Sequence, residues 1–227
     1  MSAHPAKFLL WLWHAARIIF VAALVFWTLT IVAGFFAPPI STLMWGRHMT
    51  FQTVNRQYVP LNRISPQVPA AVIMSEDGQF CRHHGVDWQA LTVVIDRVRG
   101  PNRGASTLAM QVAKNMLLWP GRSYIRKAME IPLAVILDAL WGKKRLLEIY
   151  LNIAEWGDGI FGIEAAAKAY FGKPALALSA RESAFLAAAL PNPLLRNPGR
   201  PGRRQLMLAS IIQSRMAGAG AWLECLR

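Results

Sequence analysis

From Ile18 to Ala37 the chain reads IIFVAALVFWTLTIVAGFFA, a run without a charged residue. Coiled as an α-helix, about twenty residues span roughly 30 Å, the depth of a bilayer's hydrocarbon core. Such a run leaves two choices: it crosses a membrane, or it is the apolar part of a cleaved signal. It is longer than a secretory apolar region, and no small-x-small cleavage pattern stands before Pro38 and Pro39. One transmembrane helix over 18–37 is therefore the expectation. Lys7 and Arg17 precede the run while Arg47, Arg56 and Arg63 follow it, so the basic residues do not set its orientation. A short cytoplasmic N-terminus over 1–17, with the larger domain beyond the membrane, is the arrangement expected.

The 25 Lys and Arg outnumber the 12 Asp and Glu, and the resulting +13 implies an anionic partner: lipid headgroups, a phosphorylated substrate or nucleic acid. The anchor favours the first two. Cys81 and Cys225 are too few for a disulfide framework and lack metal-ligand spacing. Nothing in the sequence pairs them, and Cys81 reads as a small buried thiol.

Beyond the apolar run, 38–69 is punctuated by Pro and Arg and reads as a connector near the membrane that ends where Pro66 and Pro69 block a helix. A folded domain is expected over 70–200, followed by a basic tail over 201–227 with a short helix at 205–216. Apolar residues at three-to-four spacing predict helices over 70–76, 87–99, 106–118, 123–141, 143–154, 160–171 and 179–190. No strand-rich stretch competes, so the fold class is all-α. Asp87 and Ser123 stand where helix caps belong, and Ser179 with Glu182 has the capping-box form. Pro132 should kink or split the helix around it.

Three constellations could carry chemistry. The first acids in the chain, Glu76 and Asp77, arrive together at the mouth of the apolar run Ala70 to Met74, with Phe80, Arg82, His83 and His84 close behind. Adjacent acids in such surroundings can titrate apart, one serving as a general base and the other as a structural anion. Asp77 and His83 read as a pair that holds a turn, and adjacent histidines are poor metal ligands. The second constellation lies in RGASTLAMQVAKN, where a cap at Ser106 or Thr107 would put Thr107, Gln111 and Lys114 on one helix face. That stripe suits phosphate or sugar at a helix N-terminus, although a solvated face would look the same. In the third, GRSYIRKAMEIP, Glu130 follows Arg126 by four residues and Lys127 by three. A surface salt-bridge cluster would explain it, but Lys114, Arg122, Arg126 and Lys127 together supply the donors a pyrophosphate needs.

Taken in order, these motifs resemble the peptidoglycan glycosyltransferases, a family that includes the monofunctional biosynthetic transglycosylases and the glycosyltransferase domains of bifunctional penicillin-binding proteins. EDGQFCRHHG matches E-D-x-x-F-x-x-H-x-G through Glu76, Asp77, Phe80, His83 and Gly85. GASTLAMQVAKN matches G-x-S-T-x-x-x-Q-x-x-K-N through Gly104, Ser106, Thr107, Gln111, Lys114 and Asn115. RKAME supplies Arg126, Lys127 and Glu130; KKRLLEIYLN supplies Lys143, Glu148, Tyr150, Leu151 and Asn152; YFGKP follows at Tyr170. Family members commonly carry two glutamines in the second motif, and Met110 stands in the first of those places. No transpeptidase-like domain follows, so the monofunctional branch fits best.

The resemblance implies a lysozyme-like helical fold that polymerises lipid II with inversion into β-1,4-linked glycan and releases polyprenyl pyrophosphate. It implies catalysis by Glu76 as base and Glu130, and substrate contacts from Phe80, Ser106, Thr107, Gln111, Lys114, Asn115, Arg122, Arg126 and Lys127. Asp77 and His83 would support the turn, and Glu130 would orient the cations or help hold a divalent cation such as Mg or Mn. Lipid II, the growing strand and membrane lipids are the partners implied, with cell-division or elongation proteins as further candidates and no nucleic acid. The place implied is the inner membrane, with the catalytic domain periplasmic. A lysozyme-like lytic glycosidase and a non-catalytic, membrane-anchored basic binding module are the competing readings.

Overall fold

A computed structural model describes residues 5–37, 39–96, 106–121 and 123–227. The chain forms two compact units, Met1–Pro39 and Ile40–Arg227. The first is one helix, α1 (Pro5–Phe36), whose stretch Phe8–Phe36 is long and apolar enough to cross a membrane. Its 32 residues would extend about 48 Å. The helix thus starts well before residue 18: the segment expected to be a separate N-terminus is rich in Ala, Leu and Trp and coils from Pro5 onward, where a proline's missing N–H costs nothing.

The second unit begins with the supposed connector, which is part of the fold. Ser41 accepts from the Met44 N–H at 3.1 Å and starts α2 (Thr42–Met49), and Met44 is buried. Arg47 then reaches Glu155 at 2.8 Å and Asp158 at 2.7 Å. A three-stranded sheet, absent from the sequence reading, explains the contact. β1 (Asn55–Arg56) runs parallel to β3 (Ile160–Phe161), which pairs antiparallel with β2 (Glu155–Gly157). The segment before α3 is anchored as well: Asn152 exchanges hydrogen bonds with Val59 at 3.0 and 2.9 Å, while Glu148 accepts from Tyr58 and the Leu61 N–H.

α3 (Gln67–Glu76) starts three residues before the expected position, because Pro69 lies in the first turn, where backbone N–H groups have no helical partner to lose. Its residues Val68 through Met74 are all buried. α4 (Trp88–Asp96) is capped by Asp87, whose carboxylate accepts from the Ala90 N–H at 2.9 Å. α5 (Leu108–Leu117) lies against α6 (Tyr124–Ile153), and α8 (Ala180–Ala189) packs on α3 and α9 (Arg203–Ala217). α7 (Ile163–Phe171) follows β3 directly, so the helix expected from 160 starts three residues later. Ser123 and the Ser179–Glu182 capping box act as the sequence suggests.

Within α6 the backbone stays helical through Pro132 and breaks at Gly142, where φ is 67° and ψ 173°. The break separates 123–141 from 143–154 as the periodicity predicts, but glycine rather than proline makes it.

The tail is also integrated. Cys81 and Cys225 form a disulfide with Cα atoms 5.4 Å apart, which corrects the reading of Cys81 as a free buried thiol. Arg82 stacks over the Trp222 ring at 3.8 Å, and Arg215 of α9 donates to the Met74 carbonyl at 3.3 Å. The disulfide closes a loop with a sequence separation of 144. Cys225→Ser should accordingly lower unfolding free energy by about 2–5 kcal/mol, read by urea titration of the detergent-solubilised chain; an unchanged midpoint would show that the bond does not form.

Candidate functional site

Glu76 is the last residue of α3, so the helix delivers its carboxylate to the edge of the core. Burial pushes the carboxyl up from its ordinary value; hydrogen bonds from Gln111 and Ser75 pull it down, the Asp77 charge raises it and that of Arg196 lowers it. The Gln111 Nε2 donates to its Oε2 at 3.2 Å.

Asp77 faces the other way and is a structural hub. Its carboxylate accepts from the Leu108 N–H at 2.9 Å, at the start of α5, and bonds His83 Nε2 at 2.8 Å, which is the turn-holding pair the sequence suggests. Two residues expected at the substrate also pack into this hub. Thr107 is 3 % exposed; its hydroxyl caps α5 by accepting from the Met110 N–H and donates to the Gly85 carbonyl at 2.6 Å. Phe80 is 0 % exposed, edge-on to His83 and beneath the Lys143 ammonium, 4.8 Å from its ring centroid. Both are turned inward, where the loop after α3 folds back on α6.

Around Glu130, which is 3 % exposed, Arg126 and Lys127 close an ion-paired cluster: Arg126 bonds one carboxylate oxygen and the Lys127 Nζ lies 2.9 Å from the other. Lys127 also donates to the Ser106 hydroxyl at 2.6 Å, tying the cluster to the start of α5. Arg126 is buried, and among the described residues its Nε finds no acceptor. Lys114 feels both carboxylates: burial lowers its pKa, Glu130 and Glu76 raise it, and Arg126 and Lys127 lower it. Arg122 lies outside the described residues.

A cavity of about 250 Å³ opens beside this arrangement, lined among others by Gln111, Lys114, Asn115, Tyr150 and Glu155. A groove of about 830 Å³ lies elsewhere, between the Leu61 turn and Leu226, and contains none of the predicted site residues. The smaller cavity is the one adjoining titratable groups with shifted pKa values.

The transglycosylase family model matches residues 45–217. The chain belongs to the transglycosylase family. A biosynthetic peptidoglycan transglycosylase from Brucella suis is 50% identical over 216 residues, covering 94% of this chain and 96% of the relative. Proteins of the same name from Agrobacterium fabrum (52% over 192 residues, 84% and 85% covered) and Rhizobium meliloti (51% over 193, 84% and 82%) are equally similar. The matched span starts inside α2, so the transglycosylase domain takes in much of the segment that the sequence suggests as a connector.

Tyr150 is the contact that sequence reasoning passed over in this transglycosylase: its hydroxyl donates to the Gln111 Oε1 at 3.2 Å. The Y-L-N motif named it, but nothing local said which way it points. Arg196, whose charge reaches Glu76 from beyond α8, carried no motif at all. Asp77→Ala should orphan the Leu108 N–H and His83, costing about 1–3 kcal/mol for each buried group left unpaired, as thermal or urea unfolding would read.

Proposed function

We propose that the chain is a membrane-anchored peptidoglycan glycosyltransferase that polymerises lipid II into β-1,4-linked glycan strands for cell-wall synthesis. One observation carries the reading: a largely buried carboxylate with a raised pKa, Glu76, stands apart from a cation cluster, Lys114, Arg126 and Lys127, gathered about Glu130. A general base at one end and an anion site at the other suit a sugar donor that leaves as a pyrophosphate. The names of the relatives support peptidoglycan as the polymer.

In this reading Glu76 takes the proton of the acceptor's 4-hydroxyl while that oxygen attacks the donor's anomeric carbon. The bond from that carbon to the pyrophosphate oxygen breaks, its electron pair departs with the polyprenyl pyrophosphate, and attack from the opposite face inverts the centre. Lys114, Arg126 and Lys127, with Arg122 as a fourth candidate, balance the growing charge on the leaving group, and Glu130 orients them. Ser106 and Asn115 border the same region. A resident metal fits poorly here. Both Glu130 oxygens already accept from cations, and among the described residues no three His, Cys, Asp or Glu side chains converge. A divalent cation such as Mg or Mn belongs in this scheme to the incoming pyrophosphate, and no step depends on it. A lytic enzyme would need no such cation cluster.

Three features support action at the outer face of the inner membrane. α1 is long enough for a single-pass anchor. Tyr124, 96 % exposed, and Ile125 leave apolar surface beside the cluster. The Cys81–Cys225 disulfide suits an oxidising compartment such as the periplasm.

With labelled lipid II in detergent, the protein should yield glycan ladders on a gel, and Glu76→Gln should slow their growth by about 10²–10⁴-fold. Shortening of preformed strands without any ladder would replace synthesis by lysis. Because the Glu76 pKa is raised and the base must be ionised, the rate should climb with pH through a midpoint above the ordinary 4.5. Lys114→Ala should weaken donor use while unfolding stays near wild type; an unaltered rate would remove Lys114 from the pyrophosphate site.

A further inference from the structure

The Gln111 amide can offer Glu76 either its N–H₂ or its oxygen, and only the first supports an ionised base. The fold decides between them. Tyr150 is 1 % exposed, and burial, with the charges of Glu76 and Asp77 adding, holds its phenol well above the ordinary 10. It therefore remains a hydroxyl that must donate when buried. The acceptor it has is the Gln111 Oε1, at 3.2 Å, which turns the Nε2 toward the Glu76 Oε2, also at 3.2 Å.

The helix that carries Tyr150 is itself clamped. Glu148 and Asn152, one turn apart on one face, hold the segment 58–61 through bonds to Tyr58, Val59 and Leu61. Tyr150, midway between them, points away from that face and toward α5.

We infer that Tyr150 is a positioning residue for the base: by donating to Gln111 it fixes the amide so that its N–H₂, and not its oxygen, meets the Glu76 carboxylate and keeps it ionised. The inference builds on the role proposed for Glu76, but the amide geometry stands without it. The other charged groups facing Glu76 are Asp77, the residue that caps its helix, Lys114 on α5 and Arg196 beyond α8; Arg215 of α9 is spent on the Met74 carbonyl. None of them depends on the Tyr150 hydroxyl.

The test is Tyr150→Phe in the full-length protein, alone and combined with Gln111→Leu. Losing one hydroxyl should leave thermal unfolding within a few degrees of wild type and KM for lipid II within about twofold. Freed from its donor, the amide can turn its oxygen on Glu76, so kcat should fall about tenfold and the acid limb of the pH–rate profile should rise by roughly half to one unit. On the Gln111→Leu background the Tyr150→Phe change should have no further effect on that limb, since the amide through which it acts is gone. Unmoved kcat and acid limb, or fully additive effects, would overturn the inference. Should the wild type make no polymer, the proposed function fails on its own. The Tyr150 inference is then read from the carboxyl titration of Glu76, followed by ¹³C NMR and assigned by its loss in Glu76→Gln. A midpoint that rises in Tyr150→Phe sustains it, and an unchanged midpoint sinks it.

Discussion

The carboxylate of Asp77 is the joint on which this site turns. At one atom it accepts from the Leu108 N–H, one of the donors that the first turn of α5 leaves without a helical partner, and it also holds His83 in the loop that follows α3. Since Glu76 is the neighbouring residue, the bond sets where the Glu76 carboxylate stands relative to Gln111 and Lys114 farther along α5. Thr107 adds a bond to the Gly85 carbonyl, and Gly85 lies so close to α6 that a Cβ there would come within 2.5 Å of the Ala134 oxygen. Its φ of +80° adds a second reason for glycine. Lys143, placed just beyond the Gly142 break, donates to the His83 carbonyl at 2.6 Å. Three helices are thereby held together at one loop, and Glu76 at its edge inherits their rigidity.

The charge balance around Glu130 has a different purpose. A buried carboxylate is tolerated only with partners, and Arg126 and Lys127 provide them. Lys114 then brings a third cation into an environment that already lowers its pKa. One carboxylate among three cations leaves a positive surplus, and the Arg126 Nε is buried without an acceptor among the described residues. Surplus charge and an unspent donor are costly in an empty site and favourable once an anion arrives. The cluster is better suited to receiving a ligand than to stabilising the fold.

Helices with strong period and local caps were legible in the sequence because their signals span only a turn or two: Asp87, Ser123 and Ser179 cap where they were expected to. The Asp77–His83 pair and the Glu130 cluster were legible for the same reason, their members lying within six residues of one another. What escaped notice depends on distant partners. Strands of two or three residues are too short to show alternation, and β1 becomes a strand only because Ile160 and Phe161 come to it. Arg47 gave no sign that its partners were Glu155 and Asp158, nor Cys81 that its partner was Cys225. Motif membership did not separate inward from outward residues either: Phe80 and Thr107 turned out to be buried supports, and Tyr150 an inner contact of the site.

The one departure within the second motif can now be weighed physically. Met110 is fully buried, whereas Gln111, about 100° farther round the helix, meets Glu76. An amide at position 110 would need hydrogen-bond partners inside the core, and a thioether needs none. Substitution of Met for Gln at that place therefore removes a polar group from the packing and leaves the donor to Glu76 where it was. The two neighbouring positions answer to different demands, one to the volume between helices and the other to the protonation state of a carboxylate, and only the second bears on the chemistry of Glu76.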